Sequence, residues 1–231
     1  MALVASQTTT APNFPMYVDF AEIATTDQMK CMQQSNYDIG TFRAYKSDGL
    51  GSFDDNAITN YNTYKNLTTY DWAEFIMEPQ PKSSKQGFQQ VDEYYTGLNS
   101  RGIPLSYMYL VIAWPEIWST DTTSNINFLN SLLTRAKQYL SNVMIITNQQ
   151  NWNTITGGWK PSLSYIGLWW MNVTGDGPNG ESLPNFDGFK PFGSFNDTIQ
   201  KQFARNETLC GVTVNKNIYK PLPGLRRKII N

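Results

Sequence analysis

Short apolar runs alternate with stretches of helical periodicity along most of the chain, and this alternation restricts the fold more than any other feature. Met16 to Phe20, Asp38 to Tyr45, Tyr70 to Met77, Tyr107 to Ile112, Val143 to Asn148, Ile166 to Met171 and Ile199 to Phe203 read as strands. Helices are expected from Thr25-Thr26-Asp27 through Met32, over Asp55–Lys65, over Gly87–Ser100 and over Asn125–Leu140. In the last of these, Ile126, Leu129, Leu132, Leu133 and Ala136 fall on one face. Strands recurring every 25–35 residues with helices between them imply a parallel sheet. Seven or eight such strands fit a single α/β domain, a small (β/α) TIM-barrel-like unit whose active mouth is the end where the strands terminate.

The expected layout is a Thr/Pro-rich lead-in over 1–15, the barrel over 16–220 and a basic tail over 221–231 that carries Arg226-Arg227-Lys228. The start, Met1 to Gln7, resembles the end of a signal peptide but lacks a charged n-region and a full apolar stretch. No run is apolar and long enough to span a bilayer.

With 231 residues and a net charge of −1, nothing electrostatic points to nucleic acid or an anionic membrane surface. The chain has no histidine, which excludes Ser-His-Asp and Cys-His sites and removes the commonest metal ligand. Neither a metal nor a cofactor is expected. Cys31 and Cys210 lie far apart without metal-ligand spacing, so they are either one bridge or two buried thiols. Four sequons, at Asn66, Asn172, Asn196 and Asn206, favour a secreted or lumenal glycoprotein and with it the bridge. Aromatic residues, 14% of the chain, together with many Asn and Gln, suit contact with sugar rings and hydroxyls, although aromatics also fill cores.

Several segments then converge. Tyr17-Val18-Asp19, Phe42-Arg43-Ala44-Tyr45 with the Gly/Asp loop after it, Tyr109 to Trp118, Gln149 to Ile155, Leu168-Trp169, and Leu209-Cys210 with Val214 to Asn217 stand in matching order. The whole resembles the glycoside hydrolase family 25 lysozymes of the nematode and amoeboid-protist branch, over about Met16 to Tyr219. That resemblance implies a secreted barrel whose active members cleave bacterial cell-wall glycan. It also implies that Cys31 and Cys210 pair.

The chain departs from the family on the strand that carries catalysis. Active members read Trp-Leu-Asp-x-Glu; here Tyr109-Leu110 fills the first pair, Val111 stands for the Asp and Ala113 for the Glu. Asn215 occupies a position where the branch usually has Asp. A glycosidase needs a proton donor and a second carboxylate or its equivalent, which Val and Ala cannot supply. Asp19, Glu74 and Glu116 are the residual acid candidates. Asp19, Tyr45, Trp114, Trp118 and Trp169, at or near strand ends, are the candidate ligand contacts.

The expected function is therefore a lysozyme-like protein without glycosidase activity that binds glycan or assembles with copies of itself. The alternative is a working N-acetylmuramidase-type hydrolase with relocated carboxylates, Asp19 with Glu74 or Glu116. Two carboxyl groups facing one another across the mouth, roughly 5–10 Å apart, would favour the alternative.

Overall fold

The computed structural model describes residues 14–67, 73–161 and 166–221. The start Met1–Gln7, most of the lead-in, residues 70–72 of the third expected strand, Thr68 of the first sequon and the tail from Leu222 lie outside them.

Among the described residues nine strands and five α-helices are arranged as β1(Met16–Phe20), α1(Thr26–Gln34), β2(Asp38–Lys46), β3(Ser52–Phe53), α2(Asn56–Lys65), β4(Glu74–Met77), α3(Gly87–Asn99), β5(Tyr107–Val111), α4(Thr122–Tyr139), β6(Asn142–Thr147), α5(Gln149–Thr156), β7(Ile166–Met171), β8(Gln200–Leu209) and β9(Val212–Tyr219). The sheet order is β1-β9-β8-β7-β6-β5-β4-β2-β3, and β1 also pairs with β2, so eight strands close into a barrel and β3 hangs on β2.

The strands from β1 through β8 in the barrel run parallel, as expected, but the closure does not. β9 is antiparallel to both of its neighbours, β8 and β1. Leu209-Cys210-Gly211-Val212 explains this: Cys210 (φ 54) and Gly211 (φ 78) turn the chain back within two residues, leaving no room for a crossover helix. β8 is accordingly ten residues long, about twice the expected strand, and is bulged between Gln202 and Ala204 and between Ala204 and Glu207. Two further elements depart from expectation: β3 forms inside the Gly/Asp/Ser loop, and α5 forms in the Trp- and Gly-containing segment.

The helix starts follow from capping chemistry. Thr25 accepts from the Gln28 amide while Gln28 reaches back to the Thr25 amide, a capping box. Asp121 accepts from the Thr123 and Ser124 amides and so starts α4 at Thr122, three residues before the expected helix start at Asn125. Asn148 does the same for α5 through the Asn151 amide. At the end of α5, Gly157 takes the left-handed conformation (φ 65).

Two apolar layers result. The outer one, between strands and helices, includes Phe42, Met77, Leu110, Leu129, Leu132 and Ile145. The lumen holds Tyr17, Ile76, Tyr109, Val111, Ala113, Met144, Ile146, Trp169 and Met171, alternate residues of their strands. A disulfide joins Cys31 on α1 to Cys210 at the β8–β9 turn, 179 residues apart, and fixes the closing hairpin to the barrel's outer wall. Among the described residues no helix is long and apolar enough to cross a membrane.

Candidate functional site

The inward faces of the strands place three carboxylates in or above the lumen. Glu74 begins β4 and sits deep in the barrel, 3% exposed, accepting from the Tyr109 hydroxyl (2.7 Å) and the Thr41 hydroxyl (3.1 Å). A floor of aromatic rings surrounds it, with Trp169 5.4 Å from Tyr17 and 5.6 Å from Tyr109 between ring centres. Glu74 is a structural hydrogen-bond centre and lines neither of the two hollows at the mouth.

Asp19 lies higher, at the end of β1. Its two oxygens accept from the Asn217 amide (2.7 Å) and the Asn215 amide (2.8 Å), both on β9, the strand paired with β1. Burial dominates its acidity and pushes the carboxyl up to about 7, against the pull of the two amides. Asn215 thus becomes intelligible: its amide donates to Asp19, where an aspartate would repel it.

Glu78 follows β4 directly, on the same parity as Glu74 and Ile76. Burial pushes the Glu78 carboxyl above its ordinary range too, while the Arg43 guanidinium, 3.3 Å away, pulls it back down. Arg43 is itself anchored by Asp54 at 2.9 Å.

Asp19 and Glu78 line a shallow hollow walled by Ile76, Val111, Trp114, Ile146 and Met171. A second, larger hollow adjoins it, and Asp19, Glu78 and Asn215 line both. Together they form the barrel mouth. Gln202 and Arg205 of β8 complete the inner wall, Arg205 being paired with Asp176.

Val111 ends β5 at the mouth, and Ala113 follows two residues beyond it. Val111 faces the hollow, and Ala113 belongs to the lumen cluster. The chain then bends sharply. Trp114 takes a left-handed backbone (φ 55, ψ 75) ahead of Pro115, which opens a 3-10 turn over Pro115–Ile117. The bend turns the Trp114 ring onto the rim.

Of the five expected ligand contacts, Asp19 and Trp114 meet the mouth and three do not. Tyr45 is fully buried in the outer layer with its hydroxyl donating to Glu93 at 2.8 Å, because the β2–β4 register slips between Arg43 and Tyr45 and reverses its direction. Trp118 points outward against Phe128 of α4 and donates to the Ala113 carbonyl at 3.0 Å. Trp169 faces the lumen but lies at its floor, with no exposed surface for a sugar. Glu116 is exposed on the 3-10 turn and lines neither hollow, so the expected Asp19–Glu116 and Asp19–Glu74 pairings do not form at the mouth. Glu78, Arg43, Gln202 and Arg205 were not among the expected residues. Glu78 was legible as the third member of the alternation Glu74, Ile76, Glu78, just before the strand-ending Pro79.

The sequons divide by position. Asn66 ends α2 and Asn196 precedes β8, both exposed and both at the barrel end opposite the mouth. Asn172 follows β7 and is half-buried, and Asn206 interrupts β8 at φ 53, exposed; these two lie at the mouth end. Among the described residues there is no group of three or more acidic or Cys side chains placed to hold a metal.

Comparison with known proteins agrees with this geometry. The family model described as Lysozyme-like protein 1 matches residues 10–203. The Caenorhabditis elegans Lysozyme-like protein 1 is 41% identical over 87% of this chain and 67% of its own length, and Lysozyme-like protein 7 of the same organism is 39% identical over 90% and 76%. A probable GH family 25 lysozyme of Dictyostelium discoideum is 24% identical over 87% and 89%. Among solved structures, a family GH25 lysozyme from Aspergillus fumigatus superposes with a TM-score of 0.67 over 91% of this chain and 96% of its own, at 13% identity. A bacterial lysozyme from Streptomyces coelicolor does so at 0.64 over 91% and 94%, with 16% identity. This chain therefore belongs to the lysozyme-like proteins of glycoside hydrolase family 25.

Proposed function

We propose that this protein binds glycan at the barrel mouth and does not hydrolyse it by the route the family resemblance implies. The observation that carries this reading is the mouth end of β5, where Val111 and Ala113 face inward and present only methyl groups. The mouth retains what sugar binding needs. Trp114 offers a rim aromatic, Asn215 and Arg205 offer donors, and Gln202 lines the same hollow and carries a buried Oε1 with no hydrogen-bond partner among the described residues. An acceptor buried in that way costs about 1–3 kcal/mol unless a donor reaches it, and a sugar hydroxyl or acetamide N–H is such a donor. Contact with copies of the same chain draws no comparable support. The disulfide and the sequons favour a secreted glycoprotein.

A second reading rests on one observation: Asp19 and Glu78 line the same hollow, and burial leaves Asp19 protonated in a large fraction of molecules near neutral pH. A protonated carboxyl beside an ionised one is the minimum for glycosidic cleavage. The two readings separate in one experiment. N-acetylated cell-wall oligosaccharides are titrated calorimetrically, and polymeric cell-wall glycan is assayed for new reducing ends, with wild type, D19N, E78Q and the double variant V111D/A113E. The first reading expects binding without turnover in wild type, and turnover only when both acids are rebuilt on β5. Wild-type turnover that disappears in both D19N and E78Q establishes the second reading instead.

A further inference from the structure

Of the two sequon residues at the mouth end, Asn206 is the one that lines a hollow. It lines the larger hollow together with Asp19, Glu78 and Asn215. Its backbone N–H donates to Asn215 Oδ1 at 3.1 Å, and the same Asn215 donates through Nδ2 to Asp19. The residue is held at φ 53 where the β8–β9 register shifts between Ala204 and Glu207, so its exposed side chain stands away from the ladder. Thr208, the hydroxyl residue of the sequon, is exposed as well and lies opposite Thr213, which also lines the larger hollow.

We propose that Asn206 carries an N-linked oligosaccharide that screens the mouth and sets the size of glycan able to enter it. Attachment joins Asn206 Nδ2 to the anomeric carbon of a lipid-pyrophosphate-linked oligosaccharide. The C–O bond to the donor breaks, the lipid pyrophosphate leaves and the amide proton passes to the transferring enzyme's base or to water. A branched, hydrated sugar rooted on the rim excludes polymer by volume while short saccharides pass beside it. Oligosaccharides on Asn66 or Asn196 project from the other end of the barrel and leave entry unchanged. The proposal rests on the reading of the mouth as a glycan site, but its physical core, screening, is measurable without any glycan ligand.

The test uses the full chain secreted from a eukaryotic host. Occupancy at each sequon is read by peptide mass, comparing wild type with T208A, which removes the sequon and keeps Asn206, and T208S, which keeps both. A reporter thiol is introduced by Ala21→Cys, since Ala21 is half-buried and lines the larger hollow. Its rate of reaction with a small maleimide and with a polyethylene-glycol maleimide is then measured in each background. The expected result is occupancy at Asn206, a bulky-reagent rate at least tenfold slower in wild type and T208S than in T208A, and equal small-reagent rates in all three. N66Q and N196Q should change neither rate. Binding of polymeric cell-wall glycan should follow the bulky rate, and binding of a disaccharide the small one. An unoccupied Asn206 in the secreted protein, or equal bulky-reagent rates with and without the oligosaccharide, overturns the proposal. Screening of the thiol with no saccharide bound by either T208A or wild type overturns instead the reading of the mouth as a glycan site.

Discussion

Replacing Asp19 by asparagine should make the protein more stable at alkaline pH and leave it nearly unchanged in acid. In the folded state the Asp19 carboxyl is pushed from its ordinary 3.8 up to about 7, chiefly by burial. A folded acid that holds its proton more tightly than the unfolded chain gains stability below the unfolded value. It loses that gain as pH climbs towards the folded value, because unfolding then releases a proton to solvent. At about 1.4 kcal/mol per tenfold difference, the full loss is about 4 kcal/mol, of which about 2–3 kcal/mol falls between pH 5 and 8. The amide carries no charge and removes this slope. Its cost is one donor facing another, since Asn215 and Asn217 both donate to Asp19. Asn217 can relieve that conflict by turning its amide over, because its Oδ1 has no hydrogen-bond partner among the described residues. Urea denaturation of wild type and D19N at half-unit steps from pH 5 to 8.5 measures the effect. Titrating groups that do not interact with Asp19 are common to both proteins and cancel in the difference, while Glu78, whose charge helps raise Asp19, adds a smaller coupled contribution. The variant's advantage should grow with pH by about 2–3 kcal/mol and level off above pH 8. A difference that is constant across the range, or that shrinks with pH, would refute the assignment of a buried, proton-holding Asp19.

Two further perturbations test the frame around the mouth. The double variant C31S/C210S opens a loop of 179 residues and should cost about 5 kcal/mol in the chain-entropy account, seen as a lower urea midpoint that reductant does not lower further. Gly87→Ala should separate α3 from α4, since a Cβ there would lie 2.6 Å from the Phe128 carbonyl oxygen and 2.9 Å from the Leu132 nitrogen, both backbone atoms that cannot swing aside. The expected cost is about 1–3 kcal/mol with the denaturation slope unchanged.

The barrel was readable because its signals are local and repeated. Runs such as Leu110-Val111-Ile112 and Val143-Met144-Ile145-Ile146 can hardly be anything but buried strands, and the Leu129/Leu132/Leu133/Ala136 stripe fixes one face of α4. The mouth was less readable because register decides it. Tyr45 looked like a rim residue until the slip after Arg43 turned it outward, a two-residue irregularity that no side-chain pattern announces. Glu116 and Trp118 lie within seven residues of Val111, yet the left-handed turn at Trp114 sends them away from the hollow. The antiparallel closure was hidden for another reason: Cys210 and Gly211 act through backbone conformation, and a cysteine at positive φ is not a turn signal that sequence alone provides. Glu78 escaped attention because the Pro79 after it marks the strand's end more strongly than the alternation marks its direction.

The antiparallel seam also orders events during synthesis. β1 is made first and β9 last, yet they are neighbours, with Asp19 opposite Asn215. Until the C-terminal strand leaves the ribosome, β1 and β8 each present an unsatisfied edge, and the buried carboxyl of Asp19 lacks both of its amide donors. The lumen therefore cannot be sealed domain-by-piece as the chain emerges. The β1 edge stays open from its own synthesis until β9 follows, whereas the β8 edge opens only just before β9 is made. Truncations that spare every residue of the mouth except β9 should aggregate rather than fold, seen as loss of the soluble monomer on size exclusion, because the barrel then has no strand to close it.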